Sequence, residues 1–247
     1  MEQRDDSYVQ LITLLNETGD YQQAYEKLMG HVFHPWEGGE GKVSTQYEYA
    51  LVELAKKDID QCRYQDAVDK LKKALSYPLN LGEGKLPITH DNIIDFYLGL
   101  AYKYLKIADE SKKYFKLAIQ GTGTPAAMIY YNDQPADNIF YQGLALEQLD
   151  QSDNAVAKYQ TLIDYGKKHL LDKFTMDYFA VSLPDSLLFN EDYQKQNTIY
   201  CYYLMGLGYL GLNKDKQADV DFKQAIQLSN DQQGVIRHLH FSKPTVK

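Results

Sequence analysis

Cysteine is scarce in this chain of 247 residues, which has only Cys62 and Cys201, far apart and without a Cys-x-x-Cys pair. This excludes a disulfide framework and is typical of a reducing compartment. Long apolar runs are also absent, since no stretch approaches the roughly 20 residues that a membrane-spanning helix requires. No basic segment leads into an apolar one at the start of the chain. We therefore expect a soluble, cytoplasmic protein with no membrane partner.

Positive charge is in deficit. The chain has 26 lysines and arginines against 34 aspartates and glutamates, for a formal net charge of -8. A nucleic-acid binder presents clustered Lys and Arg to phosphates, whereas the short runs here, such as Lys112-Lys113, are typical of solvated helix faces. Nucleic acid is therefore not an expected partner. The aromatic residues are also uneven, with 22 tyrosines against one tryptophan.

Groups that carry out chemistry are few. There is no Gly-x-Ser-x-Gly elbow and no Cys-His pairing that helical periodicity would bring together. His31 with His34, and His238 with His240, supply two ligands at a time, while a structural zinc site takes four and a catalytic one takes three. We expect no catalytic residue, no metal and no cofactor.

A repeat dominates the chain. The segment Phe96 to Tyr102 returns 44 positions later at Phe140 to Leu146, and 107 positions later at Tyr203 to Tyr209. Each copy holds glycine at its fourth position: Gly99, Gly143 and Gly206. Apolar residues recur three and four apart on both sides of a short polar break, which predicts two helices per copy. The small residues leave room where paired helices cross, and we expect Tyr102 and Phe115 to fill the space between neighbouring pairs.

Two weaker copies precede these, so we count five repeats in a single domain spanning residues 1–247. The predicted repeats are residues 5–34, 45–77, 92–122, 135–166 and 197–229, with inserts at 35–44, 78–91 and 167–193 and a C-terminal cap at 230–247. Thr45 with Glu48 predicts a capping box, and Asp91 is predicted to cap the following helix. The apolar run Asp177 to Asp185 in the last insert is expected to fold against the repeats.

The order of the repeat resembles the tetratricopeptide family: a small residue, an aromatic residue three positions on, then small, aromatic and small residues in the second helix. The resemblance implies an all-α fold, a right-handed superhelical solenoid of about five tetratricopeptide helix pairs with inserted loops. It also implies that the first helix of each pair lines a concave groove. The corresponding outward-facing positions are Phe96, Leu100, Lys103, Phe140, Leu144, Glu147, Tyr203 and Leu207.

Chaperone-binding members of the family carry Lys and Asn at these groove positions to hold a terminal carboxylate. This chain has mostly Phe, Leu and Tyr there, so the resemblance implies apolar contact with a protein or peptide partner. The predicted function is a non-catalytic protein-protein interaction or scaffolding module. Packing of the same positions against another domain or a repeated helix is at least as good an interpretation, and stacking on a sugar is a further one.

A second resemblance concerns the inserts. The loop Trp36 to Val43, its echo at Gly82 to Lys85 and the run Asp177 to Asp185 resemble the C-terminal helical tail of large bacterial proteins. The N-terminal portion of those proteins is a β-rich domain with a suspected carbohydrate-related role. The resemblance implies an alternative function, an oligomerisation or docking tail whose partner is an upstream domain of the same protein.

The loop Gly39-Glu40-Gly41-Lys42 looks like a phosphate-binding loop, which needs Gly-x4-Gly-Lys-Ser/Thr after a strand. Here Trp36 stands at the first glycine position and Val43 follows the lysine. Trp36, Lys42 and, in the echo, Lys85 are kept as loop candidates. The alternative is a tight turn with glycine at positive φ and the lysine in solvent or on a helix C-terminus, which the sequence favours.

Overall fold

A computed structural model describes residues 4–36, 38–126, 134–173, 192–239, 241 and 243. Within these residues the regular structure is entirely helical, with eleven α-helices, one short 3-10 helix and no strand. The predicted all-α class is confirmed. None of the helices in these ranges combines the length and apolar character needed to span a bilayer.

The chain divides into two compact units, Met1–Ala118 and Ile119–Lys247. In the first unit the helix pairs are α1 (Asp5–Glu17) with α2 (Tyr21–Met29), α3 (Lys42–Asp60) with α4 (Tyr64–Ala74), and α5 (Asn92–Tyr104) with α6 (Ala108–Ala118). In the second they are α7 (Asp137–Gln148) with α8 (Ser152–His169), and α9 (Tyr193–Gly211) with α10 (Asp215–Leu228), followed by α11 (Gln233–Leu239). Each predicted repeat overlaps one pair.

The turn inside each pair has the same backbone geometry. One residue in each turn adopts positive φ: Gly19, Cys62, Lys106, Asp150 and Asn213. The next residue donates its backbone N–H to a carbonyl five positions earlier, as Ile107 does to Tyr102 at 2.9 Å and Lys214 does to Tyr209 at 2.9 Å. This is the bond of a Schellman ending, in which a left-handed residue terminates a helix. Four of the five turns adopt it without glycine.

The predicted glycine crossings are present in the three strongest repeats. A Cβ added to Gly99 would lie 2.6 Å from the Phe115 ring. The equivalent distances are 2.3 Å from Gly143 to Tyr159 and 2.4 Å from Gly206 to Phe222. The expectation that Phe115 fills the space between neighbouring pairs is wrong, because its ring lies at the crossing inside its own pair. Glycine is required there because any side chain would overlap an aromatic ring.

Two boundaries differ from the sequence prediction. Helix α3 begins at Lys42 with Gly41 at its N-cap, so the predicted capping box of Thr45 and Glu48 lies inside the helix and is wrong. Helix α8 continues to His169, past the predicted start of the last insert. The run Asp177 to Asp185 lies outside the described residues.

Replacing Gly99 with alanine should destabilise the protein by about 1–3 kcal/mol, because the new methyl group must displace the buried Phe115 ring. Urea denaturation followed by circular dichroism measures the change. Gly84→Ala is the matched control, since an added Cβ meets nothing within 4 Å, and it should change stability by less than about 0.5 kcal/mol. Equal effects of the two changes would contradict the crossing.

Candidate functional site

The two glycine-rich inserts of the first unit lie against each other. The Phe33 N–H donates to the Asn80 carbonyl at 2.8 Å, and the Asn80 amide donates to the carbonyls of Leu28 and His31, each at 2.8 Å. A Cβ at Gly82 would lie 2.6 Å from the Phe33 carbonyl oxygen, and φ at Gly82 is 71°. Both the turn and the close approach therefore require glycine.

The loop that looks like a phosphate-binding loop has its helix N-terminus filled by the chain's own carboxylate. The Ser44 hydroxyl donates to Glu83 Oε2 at 2.6 Å, and the backbone N–H groups of Gly41, Val43 and Ser44 also bond this carboxylate. Burial raises the pKa of Glu83, while these hydrogen bonds oppose the increase. The N-terminus of a helix attracts anions, and at α3 Glu83 occupies that position.

Lys85 is bound inside the same insert. Its Nζ lies 2.9 Å from Glu48 Oε1 and 2.5 Å from Asp91 Oδ1, and donates to the carbonyl of Ala74, the last residue of α4, at 3.3 Å. This confirms the tight-turn alternative for the echo loop, with a lysine on a helix C-terminus. Asp91 stands at the N-cap of α5 as predicted, but its side chain makes no capping bond because it pairs with Lys85.

The other loop candidates have structural surroundings. The Trp36 ring covers Gly39, where an added Cβ would lie 2.2 Å from Trp36 Cε2. Lys42 is half-buried at the first position of α3. Of the histidines considered as metal ligands, His31 and His34 share one carboxylate, because Asp5 lies 2.6 Å from His31 Nε2 and accepts the His34 backbone N–H at 2.7 Å. His240 lies outside the described residues. No group of three metal-binding side chains occurs in the part of the chain that the structure describes.

Five of the eight predicted groove positions are buried in the core and do not face outward: Phe96, Leu100, Phe140, Leu144 and Leu207. The exposure predicted for them is wrong. Gly99 lies three positions after Phe96 and one before Leu100, so helical spacing places all three on one stripe. That stripe faces α6, because Gly99 contacts Phe115. In the same way, Gly143 of α7 contacts Tyr159 of α8, and Gly206 of α9 contacts Phe222 of α10.

The remaining predicted positions, Lys103, Glu147 and Tyr203, are half-buried. Glu147 and Tyr203 belong to the second unit, and with the buried Phe140 they form the lining of the candidate groove. Glu147 accepts the Tyr159 hydroxyl at 3.1 Å. The groove therefore combines the carboxylate of Glu147 with the aromatic rings of Phe140 and Tyr203.

The groove of the second unit is occupied by described residues near the chain's own C-terminus, and the term C-terminal segment denotes His238, Leu239, Phe241 and Lys243. The ring centroids of His238 and Phe241 lie 5.6 Å and 5.4 Å from that of Phe140, both edge to face. Lys243 Nζ lies 2.8 Å from Glu147 Oε1. The sequence predicts only a C-terminal cap for these residues.

His238 connects the segment to α7 and α9. Its Nδ1 lies 2.7 Å from the Gly234 carbonyl, which assigns the proton to Nδ1 and leaves Nε2 to accept the Tyr141 hydroxyl at 2.9 Å. The Tyr203 hydroxyl lies 3.2 Å from Nδ1 and 3.4 Å from Asp137 Oδ2. Burial raises the pKa of Asp137. The buried imidazole is thus held by hydrogen bonds and aromatic contacts.

Lys243 is recognised by both charge and an aromatic face. Besides its contact with Glu147, its Nζ lies 5.0 Å from the centroid of the Tyr159 ring and bonds the Gly211 carbonyl. Burial, followed by the charge of Glu147, raises the pKa of the Tyr159 hydroxyl. An ammonium group over an aromatic ring and beside a carboxylate is a specific arrangement for a cation.

A cavity of about 360 Å³ lies beside this segment. Its helical lining includes Leu210, Asp215, Asp219 and Phe222. Phe241 and Lys243 line it from the C-terminal segment. The cavity therefore adjoins the outer side chains of the C-terminal segment. The sequence feature that points to this contact is Phe241, followed two positions later by Lys243, after the last helix.

No protein-family model matches this chain, and no solved structure matches it significantly. Its repeated turns, its glycine crossings and its occupied groove are the features from which a function can be inferred.

Asp95 is buried in α5, one turn after the N-cap residue Asp91, and should make the stability of the fold depend on pH. Burial, followed by repulsion from Asp91, raises its pKa from 3.8 to about 7. The folded state thus keeps a proton that the unfolded chain releases, so stability falls as pH rises between these values. Asp95→Asn should be more stable than wild type by about 2 kcal/mol at pH 8, with a smaller difference at pH 5.

Urea denaturation across this pH range measures the difference. Asp69→Asn, at an exposed position on α4, is the control and should follow the wild-type profile. A parallel pH profile of Asp95→Asn and wild type would refute the raised pKa.

The contact between Glu147 and Lys243 generates a second prediction for this site. A double-mutant cycle with Glu147→Gln and Lys243→Met should give a coupling energy of about 1 kcal/mol, since both side chains are largely buried. The exposed pair of Asp219 and Lys223, 2.7 Å apart on α10, is the control and should give about 0.3 kcal/mol. A coupling no larger than that of the control would show that Lys243 is not held in the groove.

Proposed function

We propose that this chain is a tetratricopeptide-repeat solenoid that acts as a non-catalytic interaction or scaffolding module for a protein or peptide partner. The repeat assignment is supported by the Schellman turn shared by five helix pairs and the glycine crossing shared by three. Stacked helix pairs of this kind build extended binding surfaces from equivalent positions in successive repeats.

The observation that carries the binding role is the occupied groove of the second unit. Phe140 meets two aromatic rings of the C-terminal segment, and Glu147 holds its lysine. The groove therefore offers apolar, aromatic and ionic contacts to an extended segment, a chemistry suited to a peptide. A carboxylate clamp of lysine and asparagine is not part of this lining.

A peptide library displayed on phage, panned against the purified chain, tests the proposal. We expect selected peptides to bind with micromolar dissociation constants in isothermal titration calorimetry. At least one should lose tenfold or more in affinity when Glu147→Gln and Tyr203→Phe are combined. Lys216→Gln with Asp153→Asn, at exposed positions in the same unit, is the control pair. The proposal fails if no selected peptide binds tighter than about 100 µM.

A specific observation also favours the alternative, an oligomerisation or docking tail of a bacterial carbohydrate-active protein. The second insert of the first unit exposes apolar side chains, with Leu79 98% and Ile88 73% exposed, and Val32, just before the first insert, is 62% exposed. Sedimentation equilibrium distinguishes this alternative. A dimer that Leu79→Glu dissociates would support it, while a monomer at all concentrations would count against self-association.

The cysteines support a reducing compartment, and we infer a cytoplasmic location. Both thiols are free, with Cys62 exposed and Cys201 buried. Burial raises the pKa of Cys201 to about 11, which keeps it protonated and unreactive. An exposed Cys62 thiol persists most readily where disulfides are reduced.

A further inference from the structure

The C-terminal segment is attached to the second unit with graded strength. In α11, Val235 and His238 are each 1% exposed, so the helix itself is firmly packed. Beyond it, Phe241 and Lys243 are half-buried and reach the groove through their side chains. The part of the segment beyond α11 is therefore less deeply buried than α11 itself.

The groove beneath Phe241 and Lys243 has a defined chemistry. Phe140 presents a ring edge to face with Phe241, and Glu147 with the Tyr159 ring surrounds the lysine ammonium. Asp215 lines the adjoining cavity together with Phe241 and Lys243 and adds a further carboxylate to the surroundings of the segment. Such a lining favours an aromatic side chain followed by a cation and disfavours an acidic segment.

We propose that this groove recognises a partner segment in which an aromatic residue precedes a lysine by two positions, and that Phe241 and Lys243 occupy it as an internal ligand until such a segment displaces them. The proposal rests on the proposed binding function and names the chemistry of its partner. The chain's own residues are the observed example of that chemistry, since Phe241 and Lys243 are spaced in this way.

An internal ligand lowers the apparent affinity for an external one. A short tether gives an effective concentration in the millimolar range, so a partner with the same intrinsic affinity competes poorly. Weakening the internal contacts raises the fraction of molecules with an open groove and raises the apparent affinity by the same factor. The partner must therefore bind more tightly than the internal segment or be present at high local concentration.

The test uses a fluorescein-labelled peptide with the sequence of residues 237–247, Arg-His-Leu-His-Phe-Ser-Lys-Pro-Thr-Val-Lys. Fluorescence anisotropy measures its binding to the full-length wild type and to the full-length Phe241→Ala/Lys243→Ala variant. We expect at least tenfold tighter binding to the variant. Leu171→Ala/Lys173→Ala, with the same spacing at exposed positions of the same unit, is the matched control and should bind as wild type does.

Two further arms establish specificity. Adding Glu147→Lys to the double-alanine variant should abolish binding, and a peptide with alanine in place of its phenylalanine and first lysine should bind at least tenfold more weakly. If the double-alanine variant retains the circular dichroism of wild type but binds the peptide no more tightly, the proposal is overturned. It is also overturned if Glu147→Lys leaves binding unchanged.

A measurement on the wild type covers the case in which the variant does not fold. Excess unlabelled peptide should increase deuterium uptake in residues 240–247 while leaving α11 protected, and unchanged uptake would refute displacement. A concentration-dependent dimer that the double-alanine change dissociates would identify a second copy as the occupant and overturn the proposed partner. If library peptides bind while this peptide does not, the general binding function stands and only this inference falls.

Discussion

The close packing of a glycine against an aromatic ring sets the geometry of three of the five helix pairs. At the crossing of α7 and α8 the backbone of Gly143 lies so close to Tyr159 that a Cβ would fall 2.3 Å from the ring. Gly99 with Phe115, and Gly206 with Phe222, form the same contact. The close approach buries both helix faces and fixes their spacing, and the Schellman turn between the helices makes the short reversal possible. Because the contact recurs, equivalent positions of different pairs have equivalent surroundings.

The groove of the second unit depends on that crossing. Tyr159 packs on Gly143 with its ring, donates its hydroxyl to Glu147 and lies beneath the ammonium of Lys243. Tyr159 thus packs in the core and also contacts the ammonium group of Lys243. Phe140 has a similar double role, since it is 6.0 Å from Tyr159 on one side and meets the rings of the C-terminal segment on the other. Packing and binding are therefore difficult to separate in this unit.

In the first unit, a loop that resembles a phosphate-binding site has a structural role. The loop before α3 has glycines and a lysine at a helix N-terminus, which is the arrangement that attracts a phosphate. In this chain the carboxylate of Glu83 occupies that position, and Lys85 neutralises Glu48 and Asp91. The flanking residues Trp36 and Val43 predict the tight turn. They do not identify Glu83 as the occupant, because Ser44 and Glu83 are 39 positions apart.

The sequence by itself determined the helical class, the five-fold recurrence of the pattern and the glycine crossings, because these depend on spacings of three and four residues and on side-chain size. Only the tertiary structure decided what each apolar helix face packs against. Phe96 and Leu100 are predicted to lie in a groove, yet both are buried, and the Phe96 ring lies beside Phe115 of α6. It also decided that the C-terminal segment fills the second groove, since Glu147 and Lys243 are 96 positions apart and no local pattern encodes their contact.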